Sequence, residues 1–123
     1  MGPSGAGKSD LALRLIDRGA TLVSDDRCIV ENDSDGTLAA SPPAPLVGKI
    51  EVGGIGIVSM NFLPCITVAL VVALESDPPR MPDEGDSIEL RGHALPRLRI
   101  DARHASAPQK VALALRQMTR KMD

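Results

Sequence analysis

Residues Gly2 to Ser9 read Gly-Pro-Ser-Gly-Ala-Gly-Lys-Ser and fill every fixed position of the pattern G-x-x-x-x-G-K-[ST]. Glycines at this spacing let successive backbone N–H groups turn inward on phosphate oxygens, and a following helix adds its positive N-terminal end. In such a loop Lys8 bridges the β and γ phosphates, while the Ser9 hydroxyl takes one position on Mg²⁺. The chemistry implied is the grip of a nucleotide triphosphate, with Gly2, Pro3, Ser4, Gly5, Ala6, Gly7, Lys8 and Ser9 as the expected cradle. A chance glycine loop is the alternative, and the helical pattern directly downstream argues against it.

Acidic residues supply the second half of such chemistry. Asp25-Asp26 closes a short apolar stretch one helical crossover after the loop, where a strand's carboxyl edge would bring acids beside the phosphates. There a carboxylate can hold the metal's water shell or accept a proton from an attacking hydroxyl. A solvated turn pair is the competing reading. Glu51 stands between Ile50 and Val52, so it points either to solvent or at a metal. Arg80 lies in a proline-rich loop with nothing local to distinguish it from a solvated surface arginine. His93 and His104 have no second ligand at metal spacing, and neither is assigned a role.

These residues need elements to position them. Ser9–Arg18 has Leu11 with Leu15 and Ala12 with Ile16 one turn apart, predicting a helix that Gly19 stops. Ala20–Ser24 predicts a short apolar strand, and Asn32–Gly36 (NDSDG) a turn. Ser41–Pro45 (SPPAP) predicts a stiff loop without helix. Lys49–Met60 alternates glycine with β-branched residues and predicts strand–turn–strand. Cys65–Leu74 is apolar throughout and predicts a central strand covered on both faces. Ser87–Leu90 and Leu95–Ile100 flank Arg91-Gly92-His93 as a hairpin. Ser106-x-x-Gln109 predicts a capping box opening a helix through Met122, with Val111, Leu115, Met118 and Met122 on one face. The architecture expected is α/β, a mostly apolar mixed sheet with flanking helices, in one domain over 1–123.

Composition narrows the function classes. The chain has 123 residues, a formal charge of −2, and Phe62 as its one aromatic residue. Without a basic footprint or aromatic stacking platform, nucleic-acid binding is not expected. The longest apolar run is shorter than the roughly 20 residues of a membrane span, and the start is unlike a signal peptide, so a cytoplasmic protein is expected. Cys28 and Cys65, in apolar surroundings without CxxC spacing, are expected as buried free thiols. An aromatic-poor core buries less area per side chain, so subunit contacts are expected to supply part of the burial.

The segment GPSGAGKSDLALRLIDRGATLVSDD resembles the P-loop region of bacterial HPr kinase/phosphorylases. Glu51-Val-Gly-Gly-Ile-Gly-Ile-Val58 is similar to that family's E-[IV]-R-G-[LI]-G-[IL]-[IVL] signature, with Gly53 where the family has arginine. Arg80-Met81-Pro82 resembles its Arg-Leu-[GP] element, and SAPQKVALAL the closing helix of short alphaproteobacterial members. The resemblance implies a P-loop α/β domain akin to that of phosphoenolpyruvate carboxykinase, assembled as a hexamer. It implies ATP and Mg²⁺ as cofactors and the phosphocarrier HPr as partner, with regulation of the phosphotransferase system as the outcome. Lys8 would bind phosphate, Ser9 and Glu51 would hold Mg²⁺, and Arg80 would neutralise transferring charge. Asp26 would accept the proton of the HPr serine and return it when inorganic phosphate attacks phosphoserine, releasing pyrophosphate. The family's catalytic histidine and the strand leading into the loop would both precede Met1. Two alternatives stay open: a weakened nucleotide-binding member of the family, and a different small P-loop kinase.

Overall fold

The structure, a computed structural model, describes residues 1–2, 7–81 and 85–121. Two compact units divide the chain: one is Ser9–Val68, the other combines Met1–Lys8 with Ala69–Asp123.

The Ser9–Val68 unit follows α1 (Lys8–Asp17), which buries Leu11 and carries an Asp10–Arg14 ion pair at 3.1 Å across one turn. The helix ends as expected at Gly19. Its φ is +105°, its N–H bonds the Ile16 carbonyl at 3.0 Å, and Ala20 N–H bonds Leu15 at 3.1 Å. That is a Schellman closure, which glycine enters without a Cβ penalty. The stretch predicted as a strand at Ala20–Ser24 reduces to a single parallel bridge, Leu22 to Phe62.

Strands β1 (Ile29–Asn32) and β2 (Leu38–Ser41) pair antiparallel across the predicted NDSDG turn, and β5 (Ile66–Thr67) adds to the far side of β2. Between them β3 (Lys49–Val52) and β4 (Gly56–Ser59) form the expected hairpin, Glu51 opposite Ile57. SPPAP is less uniform than its prolines suggest: Ser41 ends β2, and Ala44–Leu46 makes one 3₁₀ turn. Leu11, Leu22, Leu38, Ala40 and Ile50 are the buried apolar residues here.

In the other unit β6 (Val71–Leu74) runs parallel to β8 (His93–Ile100), and β7 (Ser87–Leu90) pairs antiparallel with β8's opposite edge. The β7–β8 hairpin turns on Arg91 and Gly92, both at positive φ (48° and 83°), the geometry of a type I′ turn. Helix α2 (Ala107–Lys121) begins where Ser106 placed it, with Lys110 N–H on the Ser106 carbonyl. Val71, Leu74, Leu95, Ile100, Ala102 and Ala107 are buried.

Several expectations are corrected. Cys65–Leu74 is not one central strand: residues 66–67 and 71–74 join different sheets, and Cys65, Ile66 and Thr67 are exposed. Apolar content alone cannot separate a covered strand from a short edge. Instead of one sheet, the strands form three among the described residues: β1-β2-β5, β3-β4 and the mixed β6-β8-β7. Both thiols are free but exposed rather than buried. Leu115 is 43% exposed, so the inner face of α2 runs through Ala107, Val111 and Met118 without it. Met122 lies outside the described residues. No helix among those described is long and apolar enough to cross a membrane.

Candidate functional site

Ser9, in the first turn of α1, donates its hydroxyl to Asp25 Oδ1 at 2.7 Å, and Glu51 of β3 donates its backbone N–H to Asp25 Oδ2 at 2.9 Å. One half-buried carboxylate therefore joins three segments that are far apart in sequence. Asp26 follows at φ +62°, and Arg27 N–H bonds the Asp25 carbonyl at 2.6 Å. An i→i+2 bond around a residue at positive φ is the rare, strained hand of γ-turn. Ser24 Oγ, donating to the Arg27 carbonyl, ties the turn from the other side. Asp26 itself is exposed.

Of the expected cradle, Pro3, Ser4, Gly5 and Ala6 lie outside the described residues. Gly2, Gly7 and Lys8 are described. Met1 sits against β6: its amine donates to the Val72 carbonyl, and Leu74 N–H bonds the Met1 carbonyl at 2.7 Å. Lys8 Nζ donates to the Gly2 carbonyl at 3.0 Å. Gly7 has φ +94°, and a Cβ built there would meet the Ala102 Cβ at 3.3 Å. Backbone angle and close approach both call for glycine at that position.

Beside buried Ala102 stands Asp101, a buried carboxylate that the sequence alone does not single out. Arg103 donates N–H to Asp101 Oδ1 at 2.9 Å, and its guanidinium bonds both oxygens at 3.0 and 2.8 Å. A carboxylate bonding the backbone two residues on is an Asx turn. An Asp two residues before an Arg at a strand's end was the available signal. The Arg103 side chain, then its backbone N–H, hold the Asp101 carboxyl far below its ordinary range. Arg97 and Arg99 similarly lower Asp86 and Glu75, through paired bonds with 2.8 Å contacts.

The sign follows from linkage. A carboxylate with a depressed folded pKa contributes stability above its unfolded value near 3.9, and loses it as pH falls through the folded value. Asp101→Asn is therefore expected to lower the urea midpoint at pH 7. The gap from wild type should narrow as pH drops below about 4, toward the low folded value. Urea titrations at pH 7, 4 and 2.5 check this; a gap that stays constant contradicts the linkage.

Arg80 is exposed on the wall of a cleft of about 520 Å³ that also holds Arg99, His104, Lys110 and Asp86. Of the expected metal ligands, Ser9 meets Asp25 through its hydroxyl, and Glu51 meets it through its backbone N–H rather than its carboxylate. Hard oxygen donors of this type suit Mg²⁺, which is commonly held by one or two carboxylates with substrate phosphates completing its shell. The Ser9 hydroxyl and Asp25 carboxylate are donors of the kind that ion takes, and among the described residues no three His, Cys, Asp or Glu side chains form a metal cluster. In the sequence Asp25 stands out only as half of the Asp25-Asp26 pair, whose carboxylates suit a metal's water shell or a proton acceptor.

The fold is thus mixed α/β, with a glycine-loop lysine and an adjoining serine–carboxylate group. The family model of the HPr serine kinase C-terminal domain matches residues 1–111, and the chain belongs to that family. The HPr kinase/phosphorylase of Limosilactobacillus reuteri is 34% identical over 111 residues, covering 80% of this chain and 35% of that protein. The one from Streptococcus thermophilus is 37% identical over 111 residues, covering 80% and 36%. The chain thus spans about a third of the length of these curated relatives. The solved HPr(Ser) kinase/phosphatase from Coxiella burnetii superposes with a TM-score of 0.81 at 28% identity, covering 99% of this chain and 82% of that one.

Proposed function

We propose that this chain carries the nucleotide-binding and phosphoryl-transfer part of an HPr kinase/phosphorylase, phosphorylating a serine of HPr from ATP and removing that phosphate by phosphorolysis. The observation that carries the reading is the meeting of the Ser9 hydroxyl and the Glu51 backbone N–H on the Asp25 carboxylate. It joins the end of the G-x-x-x-x-G-K-S loop, the acidic pair and the glycine-rich signature, the three segments that family likeness assigns to one reaction.

In this reading the loop amides and Lys8 bind and orient the triphosphate. Ser9 and Glu51 would hold Mg²⁺, which neutralises charge on the β and γ phosphates. Asp26 accepts the proton of the HPr serine hydroxyl as that oxygen bonds the γ phosphorus and the bond to the ADP oxygen breaks. In reverse, a phosphate oxygen attacks phosphoserine, pyrophosphate forms, and Asp26 returns the proton to the departing serine oxygen. Arg80 contributes positive charge toward the transferred group. Gly53, where the family has arginine, has no atom within 4 Å of an ideal Cβ, so a side chain there has room. Ile55 and Ile57, 77% and 68% exposed on the β3–β4 hairpin, suit the subunit contacts of a homo-oligomer.

The test is transfer of label from γ-³²P-ATP to HPr, with Lys8→Met alongside. Wild type is expected to label HPr only with Mg²⁺ present, and Lys8→Met to fall by about 10²- to 10³-fold, the range for losing one preorganised charge donor. Nucleotide binding without any transfer would instead favour a weakened family member.

A further inference from the structure

Asp25, Asp26 and Glu51 gather three acidic residues around the start of α1, through the bonds that Asp25 makes to Ser9 and to the Glu51 backbone. In the proposed reaction two forms of HPr must come up to those acids. For phosphorylation the approaching group is a serine hydroxyl, which is neutral. For phosphorolysis it is phosphoserine, which carries about −1.5 to −2 charge at pH 7. Like charges brought together oppose binding. The phosphorylated form therefore needs a cation on the side from which HPr arrives, and Asp26, which exchanges the serine proton in that reading, marks the side.

Arg27 follows Asp26 directly and is the only Lys or Arg between Arg18 and Lys49. Its backbone is pinned twice: the N–H bonds the Asp25 carbonyl at 2.6 Å, and the carbonyl accepts the Ser24 hydroxyl. The side chain is left for something else. Arg27 is exposed, and its guanidinium makes no hydrogen bond or ion pair among the described residues. Arg14, Arg97, Arg99 and Arg103, by contrast, each hold a carboxylate. A guanidinium offers phosphate a planar fork of N–H donors, and exposure suits a phosphate that arrives on another protein. Arg80 belongs to the other unit of the chain, whereas Arg27 shares one with Ser9, Asp26 and Glu51.

We propose that Arg27 is a specificity-determining residue, which binds the phosphate of phosphoserine-HPr and so separates the phosphorylated partner from the unphosphorylated one. This rests on the proposed function for the identity of the partner, and adds to it the recognition of the modified serine. The experiment measures binding of HPr and of phosphoserine-HPr by isothermal titration calorimetry, with Mg²⁺ and without nucleotide. Arg27→Met, Arg27→Lys and Lys49→Met are compared with wild type. Both bonds that pin residue 27 use its backbone, so these variants keep the turn. Arg27→Met is expected to weaken phosphoserine-HPr by about 10- to 100-fold, the range for one hydrogen bond to a charged group. Its affinity for HPr should stay within about twofold, as for an ordinary surface substitution. Arg27→Lys keeps the charge without the fork and should lose less. Lys49→Met, which removes the next cation along the chain, should change neither affinity. The KM for inorganic phosphate in phosphorolysis should also stay within about twofold in Arg27→Met.

Equal weakening of both forms of HPr in Arg27→Met would overturn the proposal, since Arg27 would then be a general contact. A loss in Lys49→Met as large as that in Arg27→Met would overturn it too, because a diffuse field rather than a bond would be acting. So would a loss in Arg27→Lys equal to that in Arg27→Met, or a raised KM for inorganic phosphate with phosphoserine-HPr binding unchanged. If wild type binds neither form of HPr, the functional reading fails and the proposal falls with it. If wild type binds both and Arg27→Met binds them equally well, the proposal alone is wrong.

Discussion

Asp26→Asn is expected to lower label transfer to HPr by about 10²- to 10⁴-fold, the usual contribution of a positioned general base, with no loss of stability. The two halves of this expectation have different origins. Asparagine cannot take the serine proton, so the chemical step loses its acceptor while the shape of the turn is kept. On the stability side, residue 26 sits at φ +62°, a region that asparagine and aspartate occupy far more readily than other L residues. The exposed side chain has no packing to lose. Alanine at the same position should be as inactive and also less stable by about 1 kcal/mol, since its Cβ meets the full left-handed penalty. Transfer assays and urea titrations on both variants give the check. If Asp26→Asn labels HPr at near the wild-type rate, another group takes the proton.

The different surroundings of the two acids, Asp25 bonded to Ser9 and Asp26 exposed, show where sequence reading stops. Elements set by local chemistry were legible. Gly19 stops α1, NDSDG turns the chain between β1 and β2, Arg91-Gly92 folds the β7–β8 hairpin, and Ser106 opens α2. In each case the residues that specify the geometry lie within a few positions of it. The glycine-rich run after Glu51 was likewise read as a hairpin from its own residues.

What could not be read was which distant segment completes each element. Cys65–Leu74 looked uniform because its composition is. Yet Ile66–Thr67 pairs with β2 and Val71–Leu74 with β8, partners 26 residues away on either side for the pairs Ala40–Ile66 and Val71–Arg97. The exposure of Cys28 and Cys65 follows from the same cause. Both stand just before short strands whose ends are left uncovered. That Asp25 rather than Asp26 meets Ser9 was hidden for a related reason. The reversal of the chain at Asp26 and the open edge of β3 decide which carboxylate meets Ser9, and neither is written in the pair itself. Asp101 was missed because an acidic residue after a strand reads as surface, whereas Arg103 folds back to hold it buried.

Ile50→Ala is expected to destabilise the chain by about 2–5 kcal/mol, a large share of the 5–15 kcal/mol typical of a folded protein. Ile50 is 1% exposed and, with Leu38, is the largest fully buried side chain among the described residues. A core with a single partly exposed aromatic has few large groups to share such a loss, so the cavity should be felt nearly in full. Ile50 also precedes Glu51 on β3 and pairs with Val58, so relaxation into the void would shift the strand whose amide Asp25 holds. Ile50→Val removes one methylene and should lower stability by about 0.5–1.5 kcal/mol. Urea unfolding of both variants gives the stability ladder. Amide exchange at Glu51 shows whether the strand moves with it: protection is expected to fall in Ile50→Ala and to persist in Ile50→Val. A loss of less than about 1 kcal/mol in Ile50→Ala would mean the site collapses around the void, contrary to the close packing that residue's burial implies.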